Sequence, residues 1–202
     1  AKSKVAPYAF TTLTVIPGML DYKGAKIQIL DVPGLVTGAS LGKGRGKQVL
    51  SVCRVADLII LVVDCQNPKE EFQIGKELEE AGVRLDKQKP KVSIKKRDKG
   101  GIAVIASVNQ DFSKQTVSSI AKEFRVTNAE ITIRQKLTLS ALIDSFSANR
   151  VYIPSLLVYN KLDRLESSAP LSQAAVLTSA ALGNGIDELK EKIWEKLNFI
   201  RV

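Results

Sequence analysis

The sequence predicts an α/β fold with a parallel sheet, into which a small α+β domain is inserted. Apolar runs such as residues 57–64 (DLIILVVD) are typical of parallel strands that are buried on both faces. Amphipathic helices alternate with these runs near both ends of the chain, and this alternation indicates a parallel sheet. Between them, residues 84–150 have shorter strands and helices and an excess of basic side chains. We therefore expect one domain formed by 1–83 and 151–202, with 84–150 inserted into it.

The first segment is expected to alternate strands and helices. Residues 26–32 (KIQILDV) predict a strand that runs into a turn. Apolar residues at helical spacing predict a helix over roughly 45–56, and the buried strand over 57–64 follows it. Residues 67–83 (NPKEEFQIGKELEEAGV) predict an amphipathic helix with Gly82 at its end.

The other two segments show similar signals. In the third segment we expect strands over 152–160 and 174–180 and a closing helix over 185–200. In the insertion we expect two strands joined around Lys99-Gly100-Gly101, then a helix, a strand and a second helix. The ranges of these five elements are 91–98, 102–108, 113–124, 129–135 and 138–146.

The composition excludes several classes of site. The 202 residues contain no histidine, so a histidine-based catalytic triad or metal site is excluded. The two cysteines, Cys53 and Cys65, form no disulfide framework, and we expect both to be small buried hydrophobes in a reduced cytoplasm. No apolar run reaches about 18 residues, and the N-terminus lacks the apolar core of a signal peptide. We therefore expect a cytoplasmic protein with no membrane partner.

The net charge of +9 is concentrated in residues 84–150, which carry 14 basic and 6 acidic side chains. Residues 84–101 alone carry 8 basic and 2 acidic side chains. This asymmetry favours a separate module with an acidic partner, of which nucleic acid is the usual one. The alternative is a solvated basic hairpin. The candidate RNA contacts are four basic residues close together in the chain, Lys95, Lys96, Arg97 and Lys99.

The most specific motif is Asn160-Lys161-Leu162-Asp163, directly after a predicted buried strand. In an open parallel sheet, ligands bind beyond the carboxyl ends of the strands. The Asp163 carboxylate there can accept two parallel hydrogen bonds from guanine N1–H and the 2-amino group, a pair that adenine does not offer. Asn160 can brace neighbouring loops, and the Lys161 stem can cover the base. The alternative is a chance turn with an exposed lysine.

A second short motif, the tripeptide Thr178-Ser179-Ala180, follows the next predicted strand. By itself it carries no information, but its position after the Asn160–Asp163 motif gives it weight. The Ala180 backbone N–H is expected to reach the guanine carbonyl oxygen. We therefore include Ser179 and Ala180 among the candidate nucleotide-binding residues.

Magnesium and the terminal phosphate are expected at Asp31-Val32-Pro33-Gly34, which also follows a strand. Asp31 would hold magnesium through water, and the Gly34 amide would bind the last phosphate, where a side chain would obstruct approach. Thr12 is the expected second magnesium contact, with Thr11 in reserve. The alternatives are an ordinary strand-to-loop turn and β-branched residues that begin a strand.

The spacing of the two motifs supports an insertion. From the magnesium aspartate to the base motif, a minimal sheet needs two strand–helix units of about 30 residues each. Asp31 and Asn160 are 129 residues apart. The excess of about 70 residues over two such units matches the basic segment 84–150.

Six stretches together resemble the developmentally regulated GTP-binding protein family, a branch of the Obg-like GTPases: PYAFTTLTVIPG, DVPG, GKGRGKQV, KKRDKGGI, NRVYIP and NKLD. The resemblance covers essentially the whole chain, including the insertion. It implies a P-loop GTPase-type sheet, an insertion similar to the second domain of a ribosomal small-subunit protein, and a GTP-hydrolysing switch that works with ribosomes. The implied cofactors are GTP or GDP and magnesium, with potassium as a further candidate. The implied partners are the ribosome or its RNA, and a protein regulator is a further candidate.

The glycine-rich stretch over 34–49 (GLVTGASLGKGRGKQV) contains no G-x-x-x-x-G-K-[ST] phosphate loop, and neither does the rest of the chain. It resembles the family's mobile loop and helix after the magnesium aspartate. Its basic residues, Lys43, Arg45 and Lys47, would meet phosphates or a partner, or form a solvated loop. Leu35 stands where many small GTPases have a water-orienting glutamine, so the attacking water must be positioned in another way.

The resemblance places the phosphate loop and a central strand before residue 1, and a C-terminal TGS domain after the chain. We therefore expect a fragment that is inactive by itself. The rival hypothesis is a non-catalytic RNA-binding or ribosome-docking module with a degenerate G domain.

Overall fold

The structure is a computed structural model that describes residues 6–7, 14–32, 51–165 and 171–198. The chain forms two compact units, Ala1–Lys87 with Val151–Val202, and Gln88–Arg150. Residues 84–87, which the sequence assigns to the insertion, therefore lie with the first unit.

The described strands are β1 (Ala6–Pro7), β2 (Thr14–Tyr22), β3 (Ala25–Asp31), β4 (Ile59–Asp64), β5 (Val83–Leu85), β6 (Val92–Lys96), β7 (Ile102–Ala106), β8 (Ala129–Ile133), β9 (Val151–Ile153), β10 (Ser155–Asn160) and β11 (Val176–Leu177). The described helices are α1 (Glu70–Ala81), α2 (Lys114–Glu123), α3 (Leu139–Phe146) and α4 (Ile186–Leu197), and a 3₁₀ turn spans Leu162–Arg164. Residues 51–53 are also helical, but residues 54–56 are not, so the helix predicted over roughly 45–56 ends earlier than expected, and its residues 45–50 lie outside the described residues.

The first unit contains a parallel sheet in the order β11-β10-β4, which confirms the predicted α/β fold. Strand β10 is buried on both faces, as its apolar sequence predicts. On one face Leu156 and Val158 cluster with Ile193 of α4. On the other face Tyr159 clusters with Leu78 of α1. Helices on both faces hold the carboxyl ends of these strands in fixed positions.

The run over 152–160 is not one strand, because Pro154 divides it. Strand β9 pairs with β5, and β10 pairs with β4. Proline has no N–H to donate to a ladder, but its carbonyl is used, since the Pro154 O accepts from the Ile59 N–H at 3.0 Å. The strand predicted over 174–180 is shorter than expected and covers only Val176–Leu177.

An antiparallel hairpin formed by β2 and β3 supplies Asp31. Its register runs from Ile16 opposite Asp31 to Tyr22 opposite Ala25. The tight turn at Lys23 and Gly24 has positive φ at both residues, 48° and 84°, which suits the twist of a two-residue hairpin. Asp31 is the last residue of β3, as the predicted strand-to-loop transition requires.

The second unit has a three-stranded sheet in the order β6-β8-β7. Strands β6 and β7 are joined around Lys99-Gly100-Gly101 as predicted, but they do not pair as a hairpin, because β8 lies between them, antiparallel to β6 and parallel to β7. Asn128, just before β8, explains the path of the connection. Its carbonyl accepts from the Arg97 N–H at 3.0 Å, and its Oδ1 accepts from the Gly101 N–H at 2.8 Å. The loop therefore crosses the end of β8 instead of folding back as a hairpin.

The core of the second unit lies between this sheet and its two helices. Its buried residues are Val117, Ala121, Val126, Ala129, Ile131, Ile133, Leu137 and Leu142. Ser113 and Thr138 cap the helices, each accepting a backbone N–H three residues later, at 3.1 and 3.2 Å. The predicted ranges of both helices are confirmed to within a few residues.

Both cysteines lie within the described residues. Cys53 and Cys65 are free and buried, 8% and 0% exposed, as expected of small hydrophobes. Among the described residues, no helix has both the length and the apolar character needed to cross a bilayer.

Candidate functional site

The candidate site lies where β10 and β11 end. The two strands are parallel neighbours, with Tyr159 opposite Leu177. Their carboxyl ends therefore meet at one edge of the sheet, the usual ligand edge of such folds. This pairing brings the segment Asn160–Asp163 together with Thr178–Ala180, which are distant in the sequence.

The Asp163 carboxylate is held in place by Ser179, whose hydroxyl donates a hydrogen bond to Asp163 Oδ1. The Arg164 Nε lies 3.9 Å from the other carboxylate oxygen. The hydrogen bond from Ser179 is the main reason why the pKa of Asp163 is lowered, and it outweighs the opposing effect of burial. Asp163 is therefore a fixed, ionised acceptor at neutral pH.

Asn160 connects the two segments through its side-chain oxygen. Its Oδ1 accepts the Ala180 N–H at 3.0 Å and the Thr178 hydroxyl at 3.3 Å. Backbone bonds reinforce this link, since the Thr178 N–H donates to the Tyr159 carbonyl at 2.8 Å and the Leu162 N–H donates to the Thr178 carbonyl at 3.0 Å. The Ala180 amide, predicted to contact a guanine carbonyl, thus already has an acceptor in the structure.

Lys161 has an unusual backbone conformation for a residue with a side chain. Its φ is 65°, in the left-handed region. Its ammonium lies 2.7 Å from the Asp64 Oδ2, at the end of the adjacent strand β4. Strand pairing explains the proximity, because Asn160 is directly opposite Asp64 in the ladder.

The segment Asp64-Cys65-Gln66 was not identified from the sequence. The Cys65 N–H donates to the Asn160 carbonyl at 3.0 Å, and its thiol donates to the Lys161 carbonyl at 3.1 Å. The side-chain amide of Gln66 donates through Nε2 to the Arg164 carbonyl at 3.2 Å. Its position in the sequence could have identified it, since the segment directly follows a buried parallel strand and so lies at the carboxyl edge of the sheet.

The loop after Ser179 is closed by a bridge between Ser179 and Asn184, with the Ser179 N–H donating to the Asn184 carbonyl at 3.0 Å. Gly185 then begins α4 with φ 73°. A Cβ at Gly185 would lie 2.0 Å from the Leu177 carbonyl oxygen. Glycine is therefore needed for the loop to approach the end of β11.

The residues predicted for magnesium and phosphate are described only in part. Asp31 is exposed at the end of β3. Thr12 and its reserve Thr11, with Gly34 and Leu35, lie outside the described residues, as do the basic residues Lys43, Arg45 and Lys47. Among the residues that are described, no group of three or more acidic or cysteine side chains converges in a metal cage. Magnesium usually binds through one or two carboxylates, water and substrate phosphates, and a lone exposed Asp31 fits that kind of site.

The basic residues predicted to contact RNA lie at one end of the sheet of the second unit. Arg97 forms an ion pair with Glu130. Lys95 stands opposite the same glutamate in the β6–β8 ladder. In the part of the chain that the structure describes, Lys95, Lys96 and Lys99 have no carboxylate within ion-pair distance. The positive charge at this end is therefore only partly neutralised.

Comparison with known proteins agrees with these features. The family model described as the C-terminal region of the MMR_HSR1 domain matches residues 99–199, and the model described as a 50S ribosome-binding GTPase matches residues 1–97. An uncharacterized GTP-binding protein of Methanocaldococcus jannaschii is 46% identical over 100% of this chain and 54% of its own length. The developmentally-regulated GTP-binding protein 1 of Xenopus laevis is 45% identical over 99% of this chain and 56% of its own length. Its homologue in Dictyostelium discoideum is 42% identical, with the same two coverages.

The chain thus spans about half the length of the curated relatives it matches. The matches include the inserted unit as well as the parallel sheet. The chain therefore belongs to the MMR_HSR1 family of GTPase domains, and the predicted resemblance to the developmentally regulated GTP-binding proteins is confirmed over nearly its whole length.

Proposed function

We propose that the protein containing this chain binds GTP and GDP and hydrolyses GTP in the cytoplasm. The observation that carries this proposal is the fixed Asp163 carboxylate at the shared carboxyl ends of β10 and β11. Guanine presents two parallel donors on one edge, and an ionised carboxylate is their natural acceptor. The names of the relatives, which describe GTP-binding proteins, support the same proposal.

Ser179 leaves Asp163 able to recognise a base. Its hydroxyl uses one lone pair of Oδ1, and a carboxylate offers about four acceptor positions. Because Ser179 lowers the pKa of Asp163, the carboxyl remains an acceptor at neutral pH and does not become a donor. An adenine edge does not offer the two parallel donors that match the remaining acceptor positions of Asp163, and a site built to hydrogen-bond a group discriminates against a ligand that lacks it.

The phosphates and the metal would be held by other parts of the chain. Asp31, Thr12 and Gly34 are the proposed contacts, and magnesium would supply charge neutralisation at the phosphates. Because the 202 residues contain no G-x-x-x-x-G-K-[ST] sequence, we propose that the chain by itself binds GDP weakly and does not turn over GTP. Calorimetric titration of GDP into the isolated chain tests this, and submicromolar magnesium-dependent binding would contradict it.

Asp163→Asn in the full-length protein tests base recognition. We expect GDP affinity to fall by about two orders of magnitude, because a donor replaces one acceptor at a site built for hydrogen bonding. Xanthosine diphosphate, which has a carbonyl in place of the 2-amino group, should gain affinity from the new amide donor. That gain separates lost recognition from misfolding.

The control is Asp21→Asn, which changes an exposed aspartate 3.8 Å from Lys26 in the β2–β3 hairpin. Both variants are titrated with fluorescent GDP and with xanthosine diphosphate. Unchanged GDP affinity in Asp163→Asn would remove the basis of the guanine assignment.

We further propose that the second unit docks the protein on ribosomal RNA, with Lys96 and Lys99 among the phosphate contacts. The supporting observation is the excess of basic side chains in this unit, together with Lys96 and Lys99, which have no ion-pair partner among the described residues. Arg97 is the weaker candidate, because Glu130 already neutralises it. The rival function, a non-catalytic RNA-binding module, predicts the same docking without nucleotide binding.

Charge reversal tests the docking surface. Lys96→Glu with Lys99→Glu should weaken ribosome association and reduce the dependence of log affinity on log salt by about 1.5, since each phosphate contact contributes about 0.7 to 0.9. The matched control is Lys89→Glu with Lys91→Glu, an equal charge change at the other end of β6. GTP hydrolysis should persist in both variants. Full association of the Lys96/Lys99 variant would leave these lysines as a solvated surface.

A further inference from the structure

The short segment Asp64-Cys65-Gln66 follows β4 and contacts the neighbouring loop after β10 at four points. Two are backbone acceptors, the carbonyls of Asn160 and Lys161, which bind the N–H and the thiol of Cys65 at 3.0 and 3.1 Å. The third is the Arg164 carbonyl, which accepts from Gln66 at 3.2 Å. The fourth is the Asp64–Lys161 ion pair at 2.7 Å. One continuous segment therefore contacts the Asn160–Arg164 loop at its start and at its end, while Leu162 and Asp163 are held by Thr178 and Ser179.

The Asp64 carboxylate is oriented by a hydrogen bond that does not involve Lys161. Its Oδ1 accepts the Gln66 N–H at 3.0 Å, which leaves Oδ2 directed at the Lys161 ammonium. The Asp64 side chain is 25% exposed, compared with 49% for Lys161. An exposed pair usually loses side-chain entropy on both sides, whereas here the carboxylate is already oriented. The hydrogen bond from Lys161 lowers the pKa of Asp64, so the carboxylate stays charged at neutral pH.

Lys161 needs such support because its backbone is strained. A non-glycine residue with φ 65° persists only where the surroundings enforce it, and such residues concentrate at functional sites. The Cys65 thiol fixes the Lys161 carbonyl, and Asp64 fixes the far end of its side chain. Burial raises the pKa of the Cys65 thiol, and the nearby carboxylates raise it further, so the sulfur keeps the proton it donates.

We propose that Asp64 is a positioning residue for base recognition: it anchors the Lys161 ammonium so that the methylene stem of Lys161 is held in one place to cover the base whose edge Asp163 reads. This inference rests on the proposed guanine-nucleotide function. In this role Asp64 acts through Lys161 and not by its own contact with the nucleotide. Its removal should therefore affect how long the base is retained, and Asp163 should still choose guanine.

The test measures dissociation of fluorescent GDP from the full-length protein carrying Asp64→Asn. The asparagine keeps an acceptor for the Gln66 N–H but loses the charge that holds Lys161. We expect GDP to dissociate about fivefold faster, the upper range for a partly exposed ion pair, with the preference for GDP over ADP retained. The matched control is Asp111→Asn, which removes an exposed aspartate–lysine pair of 3.0 Å in the second unit.

A double-mutant cycle shows whether Asp64 acts through Lys161. In a Lys161→Ala background, adding Asp64→Asn should change the dissociation rate less than twofold, because the interaction is already absent. A merely structural role would give the same acceleration in both backgrounds, and that result would overturn the proposal. So would a dissociation rate for Asp64→Asn equal to that of the wild type.

The experiment distinguishes failure of the proposed guanine-nucleotide function from failure of the proposed role of Asp64. If the wild-type protein bound no guanine nucleotide, both proposals would be overturned together. If the wild type binds GDP in preference to ADP and Asp64→Asn changes nothing, only the role of Asp64 is lost.

Discussion

Gly185→Ala provides a sharp test of the loop that holds Ser179 and Ala180. Gly185 has φ 73°, and a Cβ there would lie 2.0 Å from the Leu177 carbonyl oxygen and 3.2 Å from the Thr178 Cα. Gly183, in the same loop, has φ 77°, yet a Cβ there meets nothing within 4 Å. The two glycines therefore share the backbone strain of a left-handed alanine and differ in steric contact.

The magnitudes follow from this comparison. A left-handed alanine costs roughly 1–2 kcal/mol, offset in part by about 0.4–1 kcal/mol from the less flexible unfolded chain. Gly183→Ala should therefore destabilise by about 1 kcal/mol. In Gly185→Ala the distance between the new Cβ and the Leu177 carbonyl oxygen must also increase by about 1 Å, since real Cβ contacts essentially never fall below 3.0 Å.

That displacement reaches the end of β11. The Thr178 N–H bonds the Tyr159 carbonyl at 2.8 Å, and the Thr178 carbonyl accepts from Leu162 at 3.0 Å. A shift of about 1 Å breaks both bonds, and each contributes about 1 kcal/mol. Gly185→Ala should therefore be about 2 kcal/mol less stable than Gly183→Ala.

Urea unfolding of both variants, followed by the fluorescence of Trp194, measures the difference. Trp194 is the single tryptophan of the chain and lies on α4, the helix that Gly185 begins. With a slope of about 2 kcal/mol per molar urea, the midpoint of Gly185→Ala should be about 1 M below that of Gly183→Ala. Equal midpoints would refute the reasoning that steric contact, and not backbone conformation, requires glycine at this position.

Two further predictions concern the first unit. The pKa of Asp64 is lowered in the folded protein by the hydrogen bond from Lys161, so its stabilising contribution is complete above the unfolded value of about 3.9 and is lost as the pH falls through the folded pKa. As the pH falls below about 4, the free energy of unfolding should therefore decline less steeply in Asp64→Asn than in the wild type. Equal slopes in the two proteins would contradict the lowered pKa of Asp64. Lys23 contacts Glu191 at 2.5 Å and its ammonium lies 5.8 Å from the Trp194 ring centroid. Lys23→Ala should shift Trp194 emission to the red by uncovering the indole, whereas Lys26→Ala, which changes an exposed residue of the same hairpin, should leave the spectrum unchanged.

Much of the fold was predictable because its signals are local. The apolar run over 57–64 and the amphipathic pattern that ends at Gly82 identify β4 and α1 without knowledge of their neighbours. Gly82 adopts φ 100° and its N–H bonds the Glu79 carbonyl, which is the helix ending that glycine favours. The position of the Asn160–Asp163 motif at the end of a buried strand was also predictable, since it directly follows the apolar run that forms β10.

Strand partners were harder to predict, because pairing depends on contacts between distant residues. Strands β6 and β7 are consecutive in the chain, and proximity favoured pairing them. The structure instead places β8 between them, and Ile131 on that strand is completely buried in the core. The pattern of apolar residues shows that β8 is buried, but it does not show which strands lie on either side.

The sequence by itself determined the types of the elements, the positions of the motifs and the uneven distribution of charge, because each depends on residues that are close along the chain. Only the tertiary structure decided which side chains meet. The contact of Ser179 with Asp163 spans 16 positions, that of Asp64 with Lys161 spans 97, and that of Tyr22 with Glu191 spans 169. Such contacts arise from the register of paired strands and from helices packed on the sheet. Many weak interactions together specify that register, and no single one of them can be read from the local sequence.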